Sequence, residues 1–156
     1  MTAGNQPAAV LVLGVGQRDR GDDAVGPAVA ERAMELVPPE VTVVKRVEPA
    51  GLIDAWAGAG LVVVTDAVRS GQPPGTVHVL HACHGPLPMR TGAGGTHGLG
   101  LAEMIELGRT LQRLPAELVI VGVEAQQFGL GEPMSPQVEA CVELAARAVA
   151  EVVRTG

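Results

Sequence analysis

Runs of consecutive apolar residues alternate along this chain with stretches in which apolar side chains recur every three or four positions. The first run covers residues 8–14 and ends on Leu13-Gly14; it is continuous rather than alternating, as a strand buried on both faces requires. A polar turn, GQRDRGDD, follows it. Residues 22–36 then place Val25, Val29, Ala33 and Leu36 on one helical stripe, which Pro38-Pro39 terminates. A second strand is expected at 41–47, a short helix at 52–57, and a central strand at 61–66, where LVVVTD is again unbroken. Residues 76–80 alternate and follow Pro73-Pro74-Gly75, the pattern of an antiparallel edge strand.

Glycine and proline dominate residues 81–96, which read as a long mobile loop. A helix over 99–114 carries Leu101, Met104, Ile105, Leu111 and Leu114 on one face, and a last strand covers 118–123. The final helix begins at Ser135-Pro136, an N-cap followed by proline at the first helical position, and buries Val138, Cys141, Val142, Ala145 and Val149. Strands separated by helices give βαβ units. The expected fold is α/β, a three-layer α/β/α domain with a mostly parallel, roughly five-stranded sheet carrying an antiparallel edge strand. It occupies residues 1–156 as a single domain, without internal repeats.

Composition narrows the picture. Only Trp56 and Phe128 are aromatic, so the core is aliphatic. The 11 basic and 17 acidic residues give a net charge of −6, which disfavours a nucleic-acid partner. No apolar run reaches the roughly 18 to 20 residues needed to cross a bilayer. The N-terminus lacks a basic segment ahead of its apolar stretch, and two cysteines make no disulfide framework. A cytoplasmic location is expected.

Candidate chemistry gathers at the carboxyl ends of the expected strands, where open α/β sheets bind ligands. Gly14-x-Gly16 begins like a dinucleotide fingerprint, but Asp19 stands where the third glycine belongs, and Asp22 and Asp23 would repel a phosphate. Either aspartate could cap the following helix; Asp22 is assigned that role, leaving Asp23 to face the cleft, kept ionised by the helix dipole. Asp66 ends the central strand, and if the strands beginning at Val10 and Leu61 are neighbours it faces the Asp22-Asp23 loop. His97 lies between a glycine-rich segment and a helix start, where the neutral ligand form of imidazole is favoured. Asp23, Asp66 and His97 make a mixed nitrogen and oxygen set suited to Zn, Mn, Fe or Ni, with coordination positions left open. His81-Ala82-Cys83-His84 is poorly spaced for one ion or for a cysteine nucleophile, and there is no G-x-S-x-G.

Taken in order, VLGVGQRDRGDDAVGPAVAE, EPAGLIDAW, LVVVTDAVRSGQPPGTVHVL, THGLGLAEMIELGR, LVIVGVEAQQFGLG and MSPQVEACVE resemble the hydrogenase maturation proteases across nearly the whole chain. The resemblance implies an endopeptidase, often classed as aspartic-type, that trims the C-terminus of the precursor of a nickel–iron hydrogenase large subunit after nickel insertion. It implies that nickel is carried by the precursor and contacted by Asp23, Asp66 and His97, with Asp23 and Asp66 also catalytic and no organic cofactor. A different class of function, a non-catalytic nickel-binding assembly factor, would bind the same precursor and cut nothing. Two positions depart from the family pattern: Gln17 stands where asparagine is usual and Ala24 where glycine is frequent.

Overall fold

The computed structural model describes residues 8–92 and 100–156. Six strands form one sheet: β1 (Val10–Gly14), β2 (Thr42–Val44), β3 (Leu61–Arg69), β4 (Val77–His81), β5 (Arg90–Thr91) and β6 (Glu117–Glu124). The order is β2-β1-β3-β6-β4, with β5 added on β3 beyond the main path. β1 pairs in parallel with β2 and β3, and β3 in parallel with β6; β4 and β5 are antiparallel to β6 and β3. The expected mostly parallel sheet with an antiparallel edge is thus the observed one. The sixth strand falls within the stretch read as a loop at 81–96, of which residues 93–99 lie outside the described residues.

Strand patterning follows depth in the sheet. β3 and β6 are buried along almost their entire length, which explains their unbroken apolar runs, whereas the marginal strands β2 and β4 are only partly covered. Alternate side chains feed two separate cores. Val12, Val63, Ala67 and Val121 point toward helices α1 (Val25–Ala33) and α5 (Val142–Thr155). Leu13, Val62, Val64 and Ile120 point toward α2 (Leu52–Trp56) and α3 (Leu101–Thr110). In the second core Trp56 is completely buried, and its indole Nε1 donates to the Arg113 carbonyl over 2.8 Å.

Several boundaries differ from the patterned expectation. The first helix opens as a 3-10 turn at Gly21–Ala24, and its α-helical part ends at Ala33. The third helix ends at Thr110, with Gln112 in a left-handed conformation at φ 56°. The last helix is two pieces, α4 (Pro136–Glu139) and α5, broken near Cys141, which is partly buried against the first core.

At Gly26, α1 lies directly against the ends of the sheet strands. A Cβ there would lie 1.9 Å from the Val15 carbonyl oxygen and 2.7 Å from that of Thr65, and Thr65 Oγ1 donates to the Gly26 carbonyl over 2.7 Å. The helix start is therefore clamped against the ends of β1 and β3, where the candidate residues sit. Gly26→Ala is expected to cost about 3 kcal/mol or more by overpacking, measured by urea unfolding; a loss under about 1 kcal/mol would show that the contact yields.

Candidate active site

β1 and β3 are neighbours in register, with Gly14 opposite Thr65, so their carboxyl ends bring the first loop beside Asp66. Two glycines of that loop are explained by close backbone approach rather than by a phosphate. A Cβ on Gly14 would lie 2.3 Å from the Lys45 carbonyl oxygen, and one on Gly16, where φ is +141°, would lie 1.9 Å from that of Asp23. The pairing of glycine and aspartate is thus steric: the backbone of Asp23 rests directly on Gly16.

Asp22 does not cap its own helix. It is completely buried, and its carboxylate accepts hydrogen bonds from the backbone N–H groups of Gln126 (2.7 Å), Gln127 (3.0 Å) and Ser135 (2.6 Å) and from the Ser135 hydroxyl (2.9 Å). The expected cap is replaced by a tie between the first loop, the segment after β6 and the start of α4. Ser135 likewise spends its hydroxyl on Asp22 rather than on α4, whose N-terminus has no side-chain cap.

Asp23 and Asp66 turn toward one another. Asp23 is 5% exposed, and its Oδ2 accepts the backbone N–H of Gln17 at 2.8 Å. Asp66 is 1% exposed; its Oδ1 accepts its neighbour's N–H, that of Ala67, at 2.8 Å. Asp66 Oδ2 is buried and has no hydrogen-bond partner among the described residues. Above them lies Gly92, at φ +64°, its N–H bonded to the Ala67 carbonyl at 2.8 Å. A methyl group there would stand 3.8 Å from Asp23 Oδ1 and 3.9 Å from Asp66 Oδ2, so both oxygens border one small space.

Burial makes this pair unusual. It raises the Asp66 carboxyl well above its ordinary range, the negative charge of Asp23 adds to the rise, and the Ala67 N–H opposes it. Asp23 is also raised by burial, against the pull of the Gln17 N–H, Arg20 and Arg46. The helix dipole expected to keep Asp23 ionised is outweighed by desolvation. A buried pair of carboxyls with one unsatisfied oxygen can share a proton or accept a cation.

His97, the third candidate, lies outside the described residues. Among the described residues no three His, Cys, Asp or Glu side chains gather as a metal-holding group. The segment from His81 to His84 is instead held to the body of the domain. Arg109 donates to the carbonyls of Ala82, Cys83 and Gly85 over 2.8 to 3.0 Å, and the Cys83 thiol approaches the carbonyls of Pro115 and Ala116 at 3.7 Å. Gln17, Arg18, Asp19 and Arg46 line an open cleft of about 580 Å³. Gln17 therefore touches Asp23 through its backbone, which explains why a longer amide is accepted there. Gly92 and Arg46 were missed; the second could be found only by knowing that β2 flanks β1.

A family model for hydrogenase maturation proteases matches residues 27–152. The chain is 29% identical over 149 residues to the hydrogenase 2 maturation protease of Escherichia coli K12, covering 93% of this chain and 90% of that one. It is 27% identical over 161 residues to a hydrogenase expression/formation protein, HupD, of Bradyrhizobium diazoefficiens, covering 97% and 83%. Among solved structures it is similar to the [NiFe] hydrogenase maturation protease HycI of Thermococcus kodakarensis, with a TM-score of 0.71, 30% identity and 94% and 93% of the two chains covered. It is also similar to the solution structure of an endopeptidase from E. coli, at a TM-score of 0.76 with 26% identity and the same coverages.

Two expectations follow from the geometry. Asp22→Ala leaves three backbone N–H groups and a hydroxyl without their acceptor and should cost at least about 3 kcal/mol, read as a lower urea midpoint; near-neutral stability would refute the tie. Asp66→Asn should stabilise the fold at neutral pH by about 0.5 to 2 kcal/mol. A carboxyl raised on folding holds its proton more tightly in the native state, so stability falls as pH climbs from the ordinary carboxyl range through the raised value. The advantage of the variant should therefore vanish below about pH 4, and an advantage that persisted there in thermal melts would contradict the assignment.

Proposed function

Because the chain belongs to the hydrogenase maturation protease family, a family of peptidases, we propose that it removes a C-terminal extension from the precursor of a nickel–iron hydrogenase large subunit. The observation that carries this reading onto particular residues is the convergence of Asp23 Oδ1 and Asp66 Oδ2 on one space beneath Gly92, with Asp66 Oδ2 unpartnered among the described residues.

Nickel in this reading belongs to the substrate. The two carboxylates of the enzyme, joined by His97 on the strength of the resemblance, dock onto the metal carried by the precursor. Docking fixes the scissile peptide beside Asp23 and Asp66, which converts an encounter in solution into a positioned reaction. Water then attacks the peptide carbonyl with a carboxylate of the pair as proton acceptor; the acid so formed passes that proton to the departing nitrogen, the carbon–nitrogen bond breaks and the amine leaves with the extension. Asp23 and Asp66 are the catalytic groups, which gives the enzyme its aspartic-type character without the pepsin fold. Charge supports the metal as a recognition element, since two carboxyls that repel one another in a buried space are relieved by a cation between them.

The alternative, an assembly factor that binds the precursor and leaves it whole, makes an opposite prediction for mass. Intact-mass measurement of co-expressed precursor should show loss of its extension with the wild-type protein. Asp23→Ala, Asp66→Ala and His97→Ala should each slow processing by about 100-fold or more, and precursor made without nickel should stay uncut. A stable complex with no change in mass would favour the assembly factor, and wild-type cleavage by all three variants would remove these residues from the mechanism.

A further inference from the structure

Arg69, the last residue of β3, is half-buried, and its Nε and Nη2 are both buried without an acceptor among the described residues. These two nitrogens form the side-on edge of the guanidinium, the edge that grips a carboxylate with two parallel hydrogen bonds. A side-on edge kept out of water without an acceptor is costly, and a carboxylate that displaces what covers it recovers that cost. The opposite face of the group is already used, since its central carbon lies 5.4 Å from the centroid of the Phe128 ring. Phe128 packs against the first core, so the stacking holds the guanidinium in one orientation.

β3 and β5 pair in antiparallel register with Arg69 directly opposite Arg90, which sets two like charges side by side on one face. Arg20, whose Nε is also buried and without a partner among the described residues, forms an isolated bridge with Leu130, two residues beyond Phe128. The Arg69 guanidinium thus lies against Phe128 in a chain whose net charge is −6. An anion would satisfy the empty edge and relieve the repulsion between Arg69 and Arg90 at once.

We propose that Arg69, with Arg90 across the strand pair, forms a carboxylate-binding subsite that anchors an acidic group of the precursor's C-terminal extension. The proposal rests on the peptidase reading for the identity of its ligand. The carboxylate has two sources, an Asp or Glu side chain within the extension or the carboxyl terminus of the chain. Arg69 acts here on affinity, whereas Asp23 and Asp66 act on the reacting bond.

Two measurements test it. In steady-state processing of nickel-loaded precursor, Arg69→Gln should raise KM by about 10- to 100-fold, the loss expected of a charge-assisted pair, with kcat within about twofold. Arg69→Lys should recover little, because an ammonium lacks the fork. Replacing the acidic side chains of the extension by amides, or amidating its C-terminus by semisynthesis, should mimic Arg69→Gln in one arm and add nothing further in that variant; the responsive arm identifies the source. Full efficiency in Arg69→Gln, or a fall in kcat at constant KM, would overturn the proposal. Independently of cleavage, acetate titrated into the wild-type protein should move the Arg69 Nε–Hε resonance with saturation. A resonance indifferent to acetate would also overturn it. If the wild-type protein cuts no precursor, the peptidase reading fails alone, and the acetate titration still decides the subsite. The same titration decides it if Arg69→Gln fails to fold.

Discussion

Four hydrogen bonds converge on the buried carboxylate of Asp22, and the geometry of the candidate site hangs from them. A carboxylate out of water needs such company, and it returns the favour by giving three backbone N–H groups their acceptor. These bonds join the first loop, the segment after β6 and the start of α4, reinforcing the bridge between Arg20 and Leu130. Asp23 is the next residue in the same 3-10 turn, with its carbonyl pressed on Gly16. Its freedom is therefore removed from both sides, and its carboxyl is delivered to one place opposite Asp66.

Asp22 and Asp66 are the same residue type at nearly the same depth, yet they differ in satisfaction. The first has all its bonds; the second has one, from its own neighbour, on Oδ1, and none among the described residues on Oδ2. Native proteins rarely leave a buried polar atom unmatched without a use for it. The strand carrying Asp66 can bear the cost because β3 is paired on both sides and buried along its length, so the surrounding sheet over-determines where the carboxyl sits. Gly92 then leaves open the space that any side chain would close.

The sheet was legible because its central strands are unbroken aliphatic runs, a signal that survives without context. β5 was not, since two residues amid glycine and proline carry no periodicity. The break between α4 and α5 was hidden for a related reason: the apolar stripe passes through Cys141 without a change of phase, and no glycine or proline marks the interruption. Asp23 and Asp66 were legible as residues at the ligand-binding edge of neighbouring strands. The role of Asp22 was not, because its partners lie between 104 and 113 residues away, and local rules offered the nearer explanation of a helix cap. Gly92 and the empty edge of Arg69 appear only once β5 is known to pair with β3.

A carboxyl pair and a guanidinium near one end of β3 give the proposed site a direction. Asp66 and Arg69 are three residues apart on a strand, so their Cα atoms are about 10 Å from one another. Alternation along the strand turns the two side chains to opposite faces of the sheet. A substrate engaging both must cross the carboxyl edge, presenting a cation to the paired carboxyls and a carboxylate to the guanidinium on the far side. Either charge alone would attract a wide range of ions. In the proposed reading the two together favour a polypeptide that carries a metal and an acidic group in a fixed order, since a chain bound in reverse would meet repulsion at both ends.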